Sequence, residues 1–525
     1  MNRLKAELGC IAAGVSFEKA FRWQYLLTQK EIKAPALSRH EFSSWYIYTG
    51  SGLNVAQLED KKGCPIGIFL GVGVDQTGLI VDRYRIDTLD LDKESFFDDF
   101  EKWLFHVAGR YNVLISREEI SRFYSDPAGT NGMVYDRNGR QVASSLALCL
   151  DRPVEDHPLY DHTIVERGEG NYSLFHTRDA HALRGNPNFH LDLGSFSETR
   201  FWPQNEGFES GAVSLQQIYG EMISTTQHVI RKINGRFKTA LPLSGGQDSR
   251  LLASMAGAEI HEIDQIFTNI HNYSSRIDAT IAGKIAEVLS LDHEVFDRRK
   301  IDVSAENVAR DEKEFHVALG MRIPLKREVI YGLQDKLADG AIVLRGHQTD
   351  LLRAVFIDRL GGKARKNLRW QIKRMMIVSR KEFSQETYER FLPAYQAWID
   401  TLPVKSRTRQ VDLMFLEIYY SATIGAFFPA MTRNFYMSPF NSRRMMQLSL
   451  SIDEKYRHNS FAVNDILLIT NPDLHDVPFD YEFGGNRGLE LIDNRELMAE
   501  LTAKRRQASH DRLDDLVRDP VERTS

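Results

Sequence analysis

Cysteine is scarce: only Cys10, Cys64 and Cys149 occur in 525 residues. An odd, widely spaced trio excludes a disulfide scaffold, and also a zinc knuckle, whose ligands come in close pairs. Glycine (35) and proline (16) together make up just under a tenth of the chain, too little for collagen-like or low-complexity sequence. Neither sign of charge dominates: 67 Lys and Arg against 72 Asp and Glu leave a net charge of −5. That balance disfavours a global grip on nucleic acid. No apolar run approaches the roughly 20 residues of a membrane span; residues 65–74 come closest. A brief apolar patch at 11–15 follows Glu7 and has no cleavage signal after it, so no secretory leader is read. These absences point to a soluble, cytoplasmic protein without a membrane partner, with ATP and reduced thiols available to it.

What remains is ordinary globular sequence, 42% hydrophobic and 26% charged, long enough for about two to four domains. Residues 1–210 read as β-rich. Short apolar runs at 65–74, 79–82, 111–115 and 132–135 alternate with turn clusters such as Asp75-Gln76-Thr77-Gly78 and Asp126-Pro127-Ala128-Gly129. Gly71-Val72-Gly73 lacks the third glycine of a dinucleotide loop and reads as a hairpin strand. A boundary is expected at 208–213. From there helices alternate with strands: a helix at 216–233, strands at 237–243, 265–270, 293–296 and 341–344, and a helix at 276–290. In the last of these, Ile277, Ile281, Ile285, Val288 and Leu289 share one face. This alternation implies a parallel sheet with helices on its faces. Residues 351–464 read as almost wholly helical, and 489–525 as a charged, solvated helix.

The segment Leu243-Ser244-Gly245-Gly246-Gln247-Asp248-Ser249-Arg250 falls where a strand ends and a helix begins, the place where open parallel sheets bind ligands. Two glycines allow a sharp turn close to phosphate oxygens, Ser244 and Ser249 can donate hydroxyl hydrogen bonds, and the helix start offers unpaired N–H groups to an anion. Asp248 would repel phosphate unless Mg²⁺ lay between them. The Gly-Lys-Ser/Thr of a Walker loop is missing, which disfavours P-loop kinase or GTPase chemistry.

Ser-Gly-Gly-x-Asp-Ser resembles the pyrophosphate loop of the ATP pyrophosphatase (PP-loop) group. Further residues resemble its asparagine synthetase-like branch: Asp278-Ala279, Ala282-x-x-Ile285-Ala286, Leu291-x-His293, Arg345-Gly346-His347-Gln348-Thr349-Asp350 and Ser438-Pro439-Phe440-Asn441. The resemblance implies an α/β chain with an N-terminal β-rich, glutaminase-like (Ntn-type) domain at 1–210. A PP-loop parallel-sheet domain with a helical C-terminal half would follow at 211–488, then the tail at 489–525. It implies a ligase that adenylates a carboxylate with ATP and couples it to an amine. The substrates would be small-molecule, peptide or sugar carboxylates and amines. By the same resemblance Leu243, Ser244, Gly245, Gly246, Asp248, Ser249, Phe267 and Gly346 would bind ATP and its pyrophosphate, with Leu243, Phe267 and Gly346 flanking the adenine. Asp248 and Asp350 would hold Mg²⁺.

The departures are specific. His347 stands where relatives keep Glu or Tyr; it is either a base for the amine, since imidazole titrates near neutral pH, or a histidine bonded to backbone. Leu351 replaces the final acidic residue of its run. The family's late lysine, a cation for the charge that builds on pyrophosphate, has no clear counterpart; Arg487 is the best positional candidate, with Lys455 and Arg457 behind it. Position 2 is Asn rather than the nucleophilic Cys of amidotransferase members, and Cys10-Ile11-Ala12-Ala13-Gly14 only faintly echoes their start. The N-terminal half is therefore expected to be a glutaminase-like scaffold without glutaminase activity, the amine coming from ammonia or from the substrate itself. Five histidines (His157, His162, His176, His181, His190) read as loop residues, because no metal-binding spacing joins them. Residues 363–381 carry eight Lys and Arg and no acid, either a solvated helix face or a contact for an acidic acceptor. Two other functions stay open: a non-sulfur RNA-modifying ATP pyrophosphatase, and a nucleotide-binding regulatory relative without turnover.

Overall fold

A computed structural model describes residues 4–160, 176–205, 207–301, 304–321, 329, 332–354, 367–375, 383–483 and 494–517. The chain is a mixed α/β protein with two sheets in its N-terminal half, a parallel sheet after them, and a helical C-terminal half. One N-terminal sheet has six antiparallel strands; the other has seven, antiparallel except for one edge pair. Pro65–Val74 reads as a continuous apolar run because the strand is buried along nearly its whole length. It forms a hairpin with Val55–Glu59 and pairs on its other side with Ala108–Arg117. Gly71 and Gly109 serve that pairing: at φ +116° and +145°, each lets its strand pass where a Cβ would sit 2.3 Å or closer to a partner carbonyl oxygen. The predicted strand at 79–82 forms three residues later, at Asp82–Arg85.

The parallel sheet comprises β1 (Thr239–Pro242), β2 (Gln265–Ile270), β3 (Glu294–Asp297), β4 (Ile342–Leu344) and β5 (Phe435–Met437), in the order 3-2-1-4-5. Three helices frame it: α1 (Leu215–Asn234), α2 (Gln247–Ala256) and α3 (Tyr273–Val288). Ser214 with Gln217 and Asn272 with Ser275 form reciprocal capping boxes that start α1 and α3. The strand β5 lies inside the stretch predicted to be helical. Three residues are too few to set a period, and their pairing with β4 is what makes them a strand.

Both halves contribute to the same apolar cores. One cluster joins Phe69, Phe100 and Tyr124 to Leu413, Tyr420 and Met446; another joins Tyr25 and Leu70 to Leu241, Ile266 and Met437. Polar contacts cross the same boundary, among them Trp23 Nε1 to the Thr432 carbonyl at 3.0 Å. Among the described residues one helical stretch, Lys405–Ala430, is long and apolar enough to cross a membrane, but 83% of its apolar window is buried inside the protein. The sequence reading found no such run because Asp412 and Glu417 interrupt it. The tail is a helix, Arg495–Val517, but it docks rather than standing free. Arg505 donates to the Asp476 carbonyl at 2.7 Å and pairs with Glu482.

Candidate functional site at the switch between two parallel strands

In the order 3-2-1-4-5 the chain leaves β1 toward one side of the sheet and returns on the other at β4. The loops after β1 and β4 therefore flank a crevice at the strands' carboxyl ends. Both motifs singled out in the sequence lie there. After β1 the backbone turns at Gly245 and Gly246, and α2 starts without any side-chain cap. The Ser244 N–H donates to Ser249 Oγ at 3.0 Å, the two serine hydroxyls are 2.9 Å apart, and the Gly245 N–H donates to Asp278 Oδ1 at 3.1 Å. Burial, with the charge of Asp480 second, pushes the Asp278 carboxyl up to about 6.

After β4, Gly346 brings its loop against the first. A Cβ there would lie 2.6 Å from the Asp248 carbonyl oxygen and 2.7 Å from its carbon, both backbone atoms that cannot swing aside. Gly346→Ala is therefore expected to force the loops apart. If the site turns over ATP, as the resemblance implies, the rate should fall about a hundredfold, the scale on which small misplacements act; steady-state kinetics checks it, and unchanged rates would mean the loops have slack. Gln348 follows in the left-handed region at φ 66°, fully buried, with neither its amide nitrogen nor its amide oxygen partnered. Its N–H donates to the Tyr420 hydroxyl at 3.1 Å, and that hydroxyl donates to Asp350 Oδ2 at 2.7 Å.

The carboxylates of Asp248 and Asp350 converge. Arg353 Nη2 lies 2.6 Å from Asp248 Oδ2 and 2.7 Å from Asp350 Oδ1, and Thr349 Oγ1 donates to Asp248 Oδ1 at 3.1 Å. Burial first, and the negative charge of Asp350 second, raise the Asp248 carboxyl above its ordinary range, while Arg353 opposes them. Two hard oxygens meeting on one cation position suit Mg²⁺, which is held by one or two carboxylates plus substrate phosphates. Among the described residues no group of three or more His, Cys, Asp or Glu could hold a metal alone. The donor set thus fits a metal that arrives with a nucleotide.

The other predicted positions divide. Leu243 and Phe267 are 2% and 4% exposed; Phe267 stacks on Phe296, and its carbonyl accepts from the Leu243 N–H at 2.8 Å. Both side chains are buried, and the Leu243 carbonyl in turn accepts from the Thr268 hydroxyl at 2.7 Å. His347 is half-buried between Tyr420 and Phe428, its ring centroid 6.0 and 5.8 Å from theirs. Its carbonyl accepts from the Ser438 hydroxyl at 2.8 Å. Arg457 is excluded as a mobile cation: it is fully buried against both oxygens of Asp412. Lys455 is exposed on the short helix Glu454–His458. Arg487 and His162 lie outside the described residues, as does most of 363–381. Asn441 does not face the crevice; its amide donates to Asp126 Oδ1 at 2.8 Å, so this segment and the Asp126 turn form a contact between the halves. His157 and His176 stack with centroids 4.0 Å apart. Cys10 sits in the helix Lys5–Ala13, buried, its thiol pushed up to about 12 by burial and then by Glu314 and Glu7.

Arg353 and Tyr420 were not anticipated. No spacing rule marks an arginine three residues after an aspartate, and Tyr420 comes from a helix 70 positions away. Asp278 was quoted for its helix but not as a partner of the loop. A scan against protein families finds no matching model, and a search of curated proteins finds no significant match.

Proposed function

We propose that this protein is an ATP-dependent, AMP-forming carbon–nitrogen ligase of the asparagine synthetase-like PP-loop kind. It would activate a carboxylate as its adenylate and couple it to an amine. One observation carries the reading: the Ser244–Ser249 loop and Asp350 meet at the carboxyl ends of β1 and β4, with two carboxylates converging on one cation position. The loop amides and hydroxyls would hold the phosphates, and Asp248 with Asp350 would hold Mg²⁺. When bound, Mg²⁺ supplies charge neutralisation on the departing pyrophosphate. A substrate carboxylate oxygen attacks the α-phosphorus and the bond to pyrophosphate breaks. An amine then attacks the acyl carbon, AMP leaves, and His347, beside Tyr420 and Phe428, would take the amine proton. Cys10 and Cys149 are buried, and the exposed Cys64 sits in the loop of a hairpin far from the start of the chain, which supports an N-terminal half that acts as scaffold, with ammonia or a substrate amine as nucleophile.

A second reading, a nucleotide binder without turnover, is favoured by the guanidinium lying between the two carboxylates. Products from α-labelled ATP and Mg²⁺, with a small-molecule extract as substrate pool, separate the two. AMP with pyrophosphate is the expected result. ADP with phosphate would overturn the loop assignment, and ATP binding without either product would favour the second reading.

A further inference from the structure

We propose that Arg353 is a built-in counter-ion for the carboxylate pair: it holds Asp248 and Asp350 together in the nucleotide-free protein, competes with the metal for them, and turns to the phosphates when metal and nucleotide enter. This rests on the ATP-dependent reading above and names the residue that gates its metal position.

The way Arg353 uses its guanidinium separates it from the structural arginines of the same molecule. Arg457 grips Asp412 with two nitrogens, at 3.0 and 2.9 Å, and is fully buried. Arg200 grips Glu417 in the same two-pronged way, at 2.6 and 2.8 Å. That fork geometry is what makes an arginine–carboxylate pair a fixed element. Arg353 instead bridges two different carboxylates through the single nitrogen Nη2, at 2.6 and 2.7 Å. Its Nε is buried without a partner, so most of its five N–H donors stay uncommitted. Its side chain keeps 23% exposure against 0% for Arg457, which gives it room to move.

Electrostatics supplies the reason for both positions. Two carboxylates facing each other need a positive charge between them, and Arg353 supplies it when no metal is there. A divalent ion in that place makes the guanidinium redundant to the aspartates, while the phosphates entering with the ion present several new acceptors. The freed N–H groups would then face the charge that develops on pyrophosphate. Of the cations weighed for that task that lie among the described residues, Arg457 is locked on Asp412 and Lys455 is exposed on its own short helix; Arg353 is already at the carboxylates.

The test uses Mn²⁺ as the probe and the full chain, in wild type, Arg353→Met, Arg353→Lys and Asp248→Asn. Free Mn²⁺ is followed by electron paramagnetic resonance, with and without α,β-methylene-ATP. Without nucleotide, Arg353→Met is expected to bind Mn²⁺ about tenfold tighter than wild type, as for a site whose competent state is populated about a tenth of the time, with Arg353→Lys between them. With the analogue the order reverses, because Arg353→Met lacks the phosphate contact. Equal Mn²⁺ affinity in wild type and Arg353→Met, with binding lost in Asp248→Asn, would overturn the counter-ion role and leave the carboxylate site standing. Mn²⁺ binding in none of the proteins, even with the analogue, or undiminished binding in Asp248→Asn, would overturn the metal site and this proposal with it. A misfolded Arg353→Met leaves the comparison to Arg353→Lys, where Mn²⁺ affinity equal to wild type in both conditions overturns the role.

Discussion

Asp248→Asn is expected to lower AMP formation at least about a thousandfold, some 4 kcal/mol of transition-state stabilisation at 1.4 kcal/mol per decade, while leaving the protein folded. The substitution keeps the side-chain shape and an oxygen that can accept from Thr349, but removes one of the two charges that converge on the cation position. Loss of activity alone would not separate chemistry from misfolding; stability does. Burial and Asp350 raise the Asp248 carboxyl above its unfolded value of 3.8. A raised carboxyl binds its proton more tightly in the folded state, so ionising it disfavours folding progressively as the pH rises above 3.8. The neutral variant escapes that cost. Its thermal midpoint is expected to match or exceed wild type at pH 8, with the difference vanishing near pH 4. An Asp248→Asn protein that forms AMP within tenfold of the wild-type rate would sink the metal-carboxylate role. One that is inactive and less stable at pH 8 would mean the residue is structural.

What could be read from the sequence was what is local along the chain. Ser244, Gly245, Gly246, Asp248 and Ser249 fall within six positions, and a strand-to-helix turn brings them together by itself. The apolar faces of α1 and α3 repeat often enough to fix those helices, and Asp350 comes six residues after the end of β4. What the sequence hid depends on chain segments far apart. Gly346 looks like any loop glycine until the Asp248 backbone is placed against it. Tyr420, which bonds Asp350, ends a π-type turn at Phe415–Tyr420 within the helical stretch 410–427, a local irregularity often found beside functional groups. Periodicity of 3.6 does not foresee it. The tail read as solvated because its charged residues show no single apolar face. Its docking runs instead through Arg505, whose guanidinium lies 5.8 Å from the Phe479 ring, while Arg250 stacks on the same ring at 4.0 Å. Arg250 donates at 3.3 Å to the Gly245 carbonyl, so the end of the chain is tied to the Ser244–Ser249 loop by contacts no motif records.

The same widened turn carries Glu417, where the largest stability effect is expected. Its carboxylate is fully buried and takes both prongs of Arg200, at 2.6 and 2.8 Å, from the N-terminal half. It also accepts from Trp398 Nε1 at 2.7 Å and from the Asn186 and Asn188 amides at 3.2 Å each. Every oxygen lone pair facing these donors is used, which is what a buried charge requires. Glu417→Ala would leave the 8%-exposed Arg200 side chain without a counter-charge and three further N–H groups without an acceptor. Removing one partner of a buried pair costs about 3–5 kcal/mol. Glu417→Gln keeps one acceptor oxygen and loses the charge, for about 1.5–3 kcal/mol, the scale of hydrogen bonds to charged groups. Urea titration followed by tryptophan fluorescence reads the difference as a shift in midpoint at constant slope. Arg200, Asn186 and Asn188 belong to one half and Glu417 and Trp398 to the other, so the loss falls on their docking. A shift below about 1 kcal/mol, the scale of a solvent-screened pair, would mean that water reaches this network and that the shared apolar cores alone hold the halves together.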